Sequence, residues 1–335
     1  MGRFLSIASR RRCLLSAPFN ILRLFPTPQL HGGSRSLETL AYEEIRVSER
    51  PFNSTAFVLH GLLGSTRNWR TFSRSLASEL QKFSSSNEWR MVLADLRNHG
   101  RSSGIRGLDP PHDMSNAARD LTNLVKSHEW EWPDVVIGHS MGGKVALDFA
   151  ASCALGNYGE NTVLPKQLWV LDSVPGKVGS DESDGEVEKV LQTLSSLPSS
   201  LPSRNWLVDH MIEHGFSKSL SEWIGSNLKK SGDGLTWTFD LQAAIAMFDS
   251  YRETSYWHLL EQPPSGMEIV MVRAENSDRW PKHLLDKLFY LSTKVRKADE
   301  GKLTVHVLPK SGHWVHVDNP KGLLEIMVPN FITKF

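Results

Sequence analysis

Short apolar runs alternate with amphipathic stretches from about residue 40 onward, and this alternation limits the possible folds more than any other feature. The runs span residues 55–60, 89–95, 134–139, 167–172, 267–273 and 302–308, and a weaker run at 42–48 would add an edge strand. Apolar runs this short suit strands buried on both faces, as in a parallel sheet. Helices are predicted over 69–83, 115–130, 141–155 and 282–295 and after Pro320. Because strands and helices alternate, the sequence predicts an α/β fold with a doubly wound, mostly parallel sheet.

One interval, residues 176–265, breaks this alternation. It opens with an acidic loop, continues in helical segments without a convincing strand, and closes at Gln262-Pro263-Pro264. An insertion of roughly 90 residues with its own apolar side chains is too long for a plain loop. The sequence therefore predicts a core formed by residues 38–175 and 266–335, with residues 176–265 as an inserted helical cap.

The first 37 residues differ in composition from the rest of the chain. They contain six arginines and several serines, but no lysine and no acidic residue before Glu38. Segments of this composition are typical of organelle transit peptides, so residues 1–37 are predicted to be one; a basic tail is the other interpretation. We expect a mitochondrial location, with the chloroplast as the alternative. Removing six positive charges from a net charge of +1 would leave the mature chain at about −5.

Composition excludes several function classes. A net charge of +1 over 335 residues gives no reason to expect nucleic acid or an anionic membrane as a partner. No apolar run approaches the roughly 20 residues that are needed to span a bilayer. The two cysteines, Cys13 and Cys153, are too few for a disulfide framework or for a metal site built mainly from cysteine.

The stretch VVIGHSMGGKVAL at 135–147 supports two incompatible interpretations. Gly138, Gly143 and Lys144 form G-x-x-x-x-G-K, most of a phosphate-binding P-loop, between a predicted strand and a predicted helix. A P-loop also needs Ser or Thr after the lysine to hold magnesium, and here that position is Val145. The P-loop interpretation, and with it an NTPase, is therefore disfavoured.

Gly138, Ser140 and Gly142 instead form G-x-S-x-G, the turn that lifts a nucleophilic serine above a sheet. Such a turn brings backbones close together, so it needs small residues two positions before and after the serine. The pattern also lies between a predicted buried strand and a predicted helix, where such a turn belongs. Ser140 is therefore the predicted nucleophile.

A serine hydroxyl needs a base that takes its proton and an acid that orients the base. His313 lies in the loop after the last predicted strand, and catalytic groups of open α/β sheets gather at such strand ends. His316 is the nearest alternative. His313 is preferred because it directly follows Gly312 after the strand.

Tetrahedral intermediates of acyl transfer also need an oxyanion hole of preorganised N–H donors. The segment His60-Gly61-Leu62-Leu63-Gly64 follows an apolar run, where such a loop is expected. The backbone amides of Leu62 and Met141 are the predicted donors, and His60 and Gly61 are predicted to shape the turn. A tight glycine turn without this role is the alternative.

Four segments occur in a characteristic order: H-G-L-L-G-S, D-L-R-N-H-G-R-S, G-H-S-M-G-G and G-H-W. From about Ala41 to Phe335 the chain thereby resembles the α/β-hydrolase superfamily. Finer features resemble the short bacterial acyl esterases and their mitochondrial α/β-hydrolase-domain relatives: L-R-N-H-G-R-S, V-L-D-S-V-P-G at 170–176, E-N-S-D at 275–278 and G-H-W-V-H at 312–316. The resemblance implies an esterase or thioesterase with a helical cap, no cofactor, and a small-molecule or acylated substrate. It also implies Ser140 as nucleophile and His313 as base, and no metal ligands are predicted.

The acid is where this sequence departs from the superfamily pattern. Most members carry it in a G-x-x-D turn after the strand that corresponds to 267–273, and here Ser277 occupies that place. Asp278 comes one residue later, whereas Asp172 ends the preceding strand, within reach of the same histidine. The resembling esterases use this second place, so Asp172 is preferred and Asp278 is the alternative.

These features predict a serine hydrolase that cleaves carboxylic esters or thioesters of small to medium acyl groups. The alternative is a ligand-binding protein with this fold and little turnover, resembling some plant hormone receptors. A C–C bond hydrolase or a haloperoxidase-like enzyme with the same triad also stays open. The predicted cap carries apolar side chains that either line an acyl pocket or pack the cap on the sheet. They are Trp206, Met211, Trp223, Trp237, Phe239, Phe248 and Trp257.

Overall fold

The computed structural model describes residues 39–83, 87–179, 185–297 and 300–332. The predicted transit peptide, residues 1–37, lies outside these ranges, so the segment and the mitochondrial or chloroplast location stay predictions. Within the described ranges, no helix is both long enough and apolar enough to cross a membrane.

The strands of the described chain form two sheets. In chain order they are β1 (Tyr42–Ile45), β2 (Ser54–Leu59), β3 (Trp89–Ala94), β4 (Val135–His139), β5 (Gln167–Leu171), β6 (Leu228–Ser231), β7 (Gly234–Trp237), β8 (Glu268–Ala274) and β9 (Lys302–Leu308). The larger sheet has the order β1-β3-β2-β4-β5-β8-β9, and all neighbours are parallel except β1 with β3. The predicted doubly wound, mostly parallel sheet is confirmed, and the expected edge strand is β1.

Helices connect these strands. In chain order the α-helices are α1 (Thr66–Phe83), α2 (Met114–Ser127), α3 (Met141–Ala154), α4 (Gly185–Ser196), α5 (Arg204–Glu213), α6 (Lys218–Gly225), α7 (Leu241–Glu253), α8 (Trp257–Glu261), α9 (Lys282–Thr293), α10 (Val315–Asp318) and α11 (Pro320–Ile332). Helices α1 and α11 pack on one face of the larger sheet, and α2 and α3 pack on the other.

Neighbouring residues of β2 point into two separate hydrophobic cores. Phe57 packs with side chains of α2 and α3, whereas Ala56 and Val58 pack with side chains of α1 and α11. Every residue of β2, β3, β4 and β5 is buried. Because these strands are covered on both faces, their sequences are apolar runs rather than alternating patterns.

Between β5 and β8 the chain forms helices α4 to α8 and a hairpin of β6 and β7. The expectation that this interval holds no strand is therefore wrong. The hairpin turns at Gly232, whose φ of +57° is a conformation that glycine adopts without steric cost. Three of the four β6 residues are exposed, so the apolar pattern that marks a buried strand is missing. The cap boundaries at 176 and 265 stay a prediction.

Candidate active site

Ser140 lies on a sharp turn between β4 and α3. Its φ of +53° and ψ of −121° are unusual for a residue with a side chain. A Cβ atom on Gly138 would overlap the backbone of Gly142, and one on Gly142 would lie 2.5 Å from the carbonyl oxygen of His60. Both glycines are therefore required by close backbone approach, as the sequence predicts for a turn of this kind.

Lys144, the residue that suggested a P-loop, is completely buried. Its Nζ donates hydrogen bonds to the main-chain oxygens of Gly176 (2.7 Å), Thr254 (2.9 Å) and Tyr251. These three carbonyls lie on the segment after β5 and at the end of α7. The amine therefore holds this part of the cap interval against α3, and it does not point into an anion-binding loop.

The predicted base and the preferred acid are in direct contact. His313, in the loop after β9, donates from Nδ1 to Asp172 Oδ2 at 2.7 Å. Asp172 follows β5, is completely buried, and has a φ of +41°. Its carboxylate also accepts hydrogen bonds from Ser277 Oγ at 2.7 Å and from Trp280 Nε1 at 2.9 Å.

These hydrogen bonds keep the Asp172 carboxyl group ionised. Burial by itself raises the pKa of Asp172, but the hydrogen bond and charge of His313 oppose it. The Ser277 hydroxyl and the Ala274 amide add to that opposition, and the net result is a lowered pKa. An ionised carboxylate at Nδ1 fixes the tautomer of His313 and leaves Nε2 as the proton acceptor.

Asp278, the alternative acid, does not contact His313. Its side chain is exposed, and Ser277, one residue earlier, lies against Asp172 instead. Of the two carboxylates considered from the sequence, the structure brings only Asp172 to the histidine.

The loop predicted to supply oxyanion donors is shaped by His60. Its Nδ1–H donates to the Gly61 oxygen at 2.8 Å, and its Nε2 accepts from the Leu96 amide at 3.0 Å. Burial lowers the pKa of His60, which agrees with a neutral ring that both donates and accepts. Among the described residues, neither the Leu62 nor the Met141 amide donates to another protein group. Both residues line the cavity that contains Ser140.

Two further histidines lie at the site: His139, for which the sequence predicts no role, and His316, which the sequence offers as the alternative base. His139 precedes Ser140 and contacts the His313 main chain, and burial holds its pKa well below the ordinary value. His316, the alternative base, stacks on Trp69 with ring centroids 4.0 Å apart, and burial lowers its pKa to about 3. The position of His139 beside the serine was the available signal, but its partner is 174 residues away.

A cavity of about 120 Å³ lies over the turn and is lined by Ser140, His313 and a mostly apolar wall. The wall combines core residues such as Leu62 and Trp314 with Val190, Trp223 and Phe248 from the cap interval. Of the seven cap side chains considered from the sequence, Trp223 and Phe248 reach this cavity, whereas Met211 and Phe239 pack in the hydrophobic core.

Chain order, sheet topology and the serine turn now agree with a known family. The sequence model described as the alpha/beta hydrolase family matches residues 56–326. The chain belongs to this family. The resemblance found in the sequence motifs is therefore confirmed.

Three comparisons place this alpha/beta hydrolase among known proteins. It is 25% identical over 313 residues to the sn-1-specific diacylglycerol lipase ABHD11 of Danio rerio, and the matched region covers 89% of this chain and 85% of the relative. It is 35% identical over 292 residues to a probable alcohol acetyltransferase of Saccharomyces cerevisiae, and the matched region covers 81% of this chain and 75% of the relative. The solved structure of a marine microorganism esterase matches its fold with a TM-score of 0.67 at 22% identity, over 89% of this chain and 99% of that one. Family and relatives support an ester hydrolase activity.

Proposed function

We propose that the chain is a serine hydrolase that cleaves carboxylic esters or thioesters of small to medium acyl groups. The observation that carries this proposal is the 2.7 Å hydrogen bond between His313 Nδ1 and Asp172, together with the cavity that His313 shares with Ser140 on its strained turn. A serine, a histidine and a carboxylate with these partners form the arrangement that activates a hydroxyl for attack on an acyl carbon.

In the proposed mechanism, Ser140 Oγ attacks the acyl carbon while His313 Nε2 takes its proton. The Leu62 and Met141 amides donate to the oxygen that becomes negative, which preferentially stabilises the tetrahedral intermediate. His313 then returns the proton to the leaving alcohol or thiol, and an acyl-enzyme remains on Ser140. Water, deprotonated by the same histidine, releases the acid, while Asp172 orients and stabilises the imidazolium in both steps.

The cavity supports a limited acyl size. Its volume of about 120 Å³ is near that of a cavity of ~150 Å³ that accepts benzene. Such a space suits an acyl chain of a few carbons, because larger ligands occupy pockets of roughly 300–1,000 Å³. The apolar wall favours an alkyl over a charged acyl group.

The test is hydrolysis of a graded series of p-nitrophenyl acyl esters by the chain and by its Ser140→Ala variant. We expect turnover by the native chain, at least about 1,000-fold loss in the variant, and a rate maximum at short acyl chains. A fluorophosphonate probe should label Ser140 in the native chain only. If there is neither turnover nor labelling, the proposal is wrong and a ligand-binding protein with this fold becomes the better explanation.

A second candidate is transfer of the acyl group from the acyl-enzyme to an alcohol instead of water. It is favoured by one observation, the 35% identity to a probable alcohol acetyltransferase over most of both chains. Adding ethanol to the ester assay separates the two outcomes. Accumulation of ethyl ester in preference to free acid supports transfer, whereas free acid alone supports hydrolysis.

A further inference from the structure

His139 joins the two segments that carry the proposed nucleophile and base. It is the last residue of β4, directly before Ser140, and its ring is buried. Its Nε2 lies 2.8 Å from the main-chain oxygen of His313. A carbonyl oxygen only accepts hydrogen bonds, so Nε2 must carry the proton and donate it. One imidazole therefore connects the serine turn to the loop that presents the base.

The same ring also approaches the loop of the proposed oxyanion donors. A Cβ atom placed on Gly61 would lie 3.2 Å from His139 Nδ1 and 3.2 Å from Ser140 Cβ. The backbone of this loop therefore passes directly over His139. Three segments from distant parts of the chain, which carry the serine, the base and the oxyanion donors, meet at this side chain.

His139 is suited to hold a position rather than to transfer protons. Burial is the main cause that holds its pKa well below the ordinary value, and the charges of His313 and His316 lower it further. The His139 ring is therefore neutral when His313 accepts the proton of Ser140, and it does not compete for that proton. Its centroid lies 4.7 Å from that of His313, so it also packs against the base.

We propose that His139 is a positioning residue, whose Nε2–H bond to the His313 main chain sets the distance between His313 and Ser140. This proposal deepens the proposed serine hydrolase function and rests on it. A shift of about 1 Å between reacting groups can reduce turnover roughly 100-fold, so one buried hydrogen bond can control the rate. The hydrogen bond to Asp172 fixes the ring orientation of His313. The hydrogen bond from His139 instead fixes the position of the His313 main chain relative to the serine turn.

Two variants separate the hydrogen bond from the packing of the ring. His139→Phe keeps a ring of similar size and removes the donor, while His139→Gln restores an N–H near the position of Nε2. We expect kcat for a short p-nitrophenyl ester to fall about 10- to 100-fold in His139→Phe with KM changed less than about threefold. The Gln variant should stay within about fivefold of the native kcat.

Thermal unfolding of both variants verifies that they are folded. A His139→Phe enzyme with native kcat would overturn the proposal. So would equal losses in the Phe and Gln variants, because the ring itself rather than its donor would then matter.

A second readout does not depend on turnover. The proton shared by His313 and Asp172 should give a low-field NMR signal that shifts or disappears in His139→Phe and persists in His139→Gln. An unchanged signal in the Phe variant contradicts the positioning role even if no ester is hydrolysed. Absence of turnover in the native chain, with the signal responding as expected, would count against the proposed substrate class and leave the positioning role supported.

Discussion

At the scale of single residues, the Asp172 carboxylate shows what a sequence reveals and what it does not. Asp172 ends a predicted buried strand and Asp278 follows the next one, so the sequence alone identifies both as candidates. The choice between them depends on contacts with Trp280 and with His313, which is 141 residues away. Ser140 and His313 are easier to identify, because Ser140 lies between Gly138 and Gly142 and His313 directly follows Gly312.

Replacing Asp172 by asparagine should reduce kcat by about 100- to 10,000-fold on a short p-nitrophenyl ester. The amide carries no charge to stabilise the imidazolium, and its NH₂ group favours the wrong tautomer of His313. Asp278→Asn is the matched control, because Asp278 is exposed and makes no contact with the base; its kcat should stay within about twofold. A large loss in the control with little loss in Asp172→Asn would assign the acid to Asp278.

At the scale of secondary-structure elements, six of the seven strands of the larger sheet are predicted to within one residue, whereas β1 ends three residues before the predicted run at 42–48 does. Burial on both faces forces apolar runs, and apolar runs are visible in a single sequence. The hairpin of β6 and β7 lacks that pattern, because β6 is mostly exposed and β7 is only half-buried, so the sequence does not predict it. The partners of Lys144 also cannot be predicted from the sequence, because they are backbone carbonyls of residues distant in the chain and every residue type has such a carbonyl.

Replacing Lys144 by methionine should lower the free energy of unfolding by about 2–5 kcal/mol, because buried carbonyls lose their donors. Urea denaturation of the folded chain measures this change. Lys189→Met is the control: Lys189 is exposed and its Nζ donates to one carbonyl, that of His214. The Lys189→Met substitution should lower the free energy of unfolding by less than about 1 kcal/mol. Equal stability of the two variants would show that Lys144 does not hold the cap interval.

At the scale of the whole molecule, buried histidines link stability to pH. Burial lowers the pKa of His60, His99, His139 and His316, to about 3 for His99 and His316. Below their ordinary value near 6.5, the unfolded chain binds protons that the folded chain excludes. The buried neutral histidines therefore contribute to the free energy of unfolding at neutral pH, and this contribution is lost as the pH falls below about 6.5.

The free energy of unfolding in urea should accordingly be lower at pH 5 than at pH 7. His99→Asn keeps a donor for the Arg97 oxygen but cannot titrate, so it should reduce the difference between the two pH values by about 1–2 kcal/mol. His258→Asn, the same substitution at an exposed histidine, is the matched control. An identical pH dependence in the native chain and in His99→Asn would show that His99 is not part of this linkage.

The cavity wall has one more consequence. Trp223 on α6 and Trp314 beside His313 meet edge to face, with ring centroids 4.5 Å apart, across the boundary between the cap interval and the core. Indole emission depends on the neighbouring groups, so separating these rings changes the light that they emit. The protein therefore carries an internal optical reporter in the cavity wall, and a change in the separation of these two rings can be followed without an attached dye.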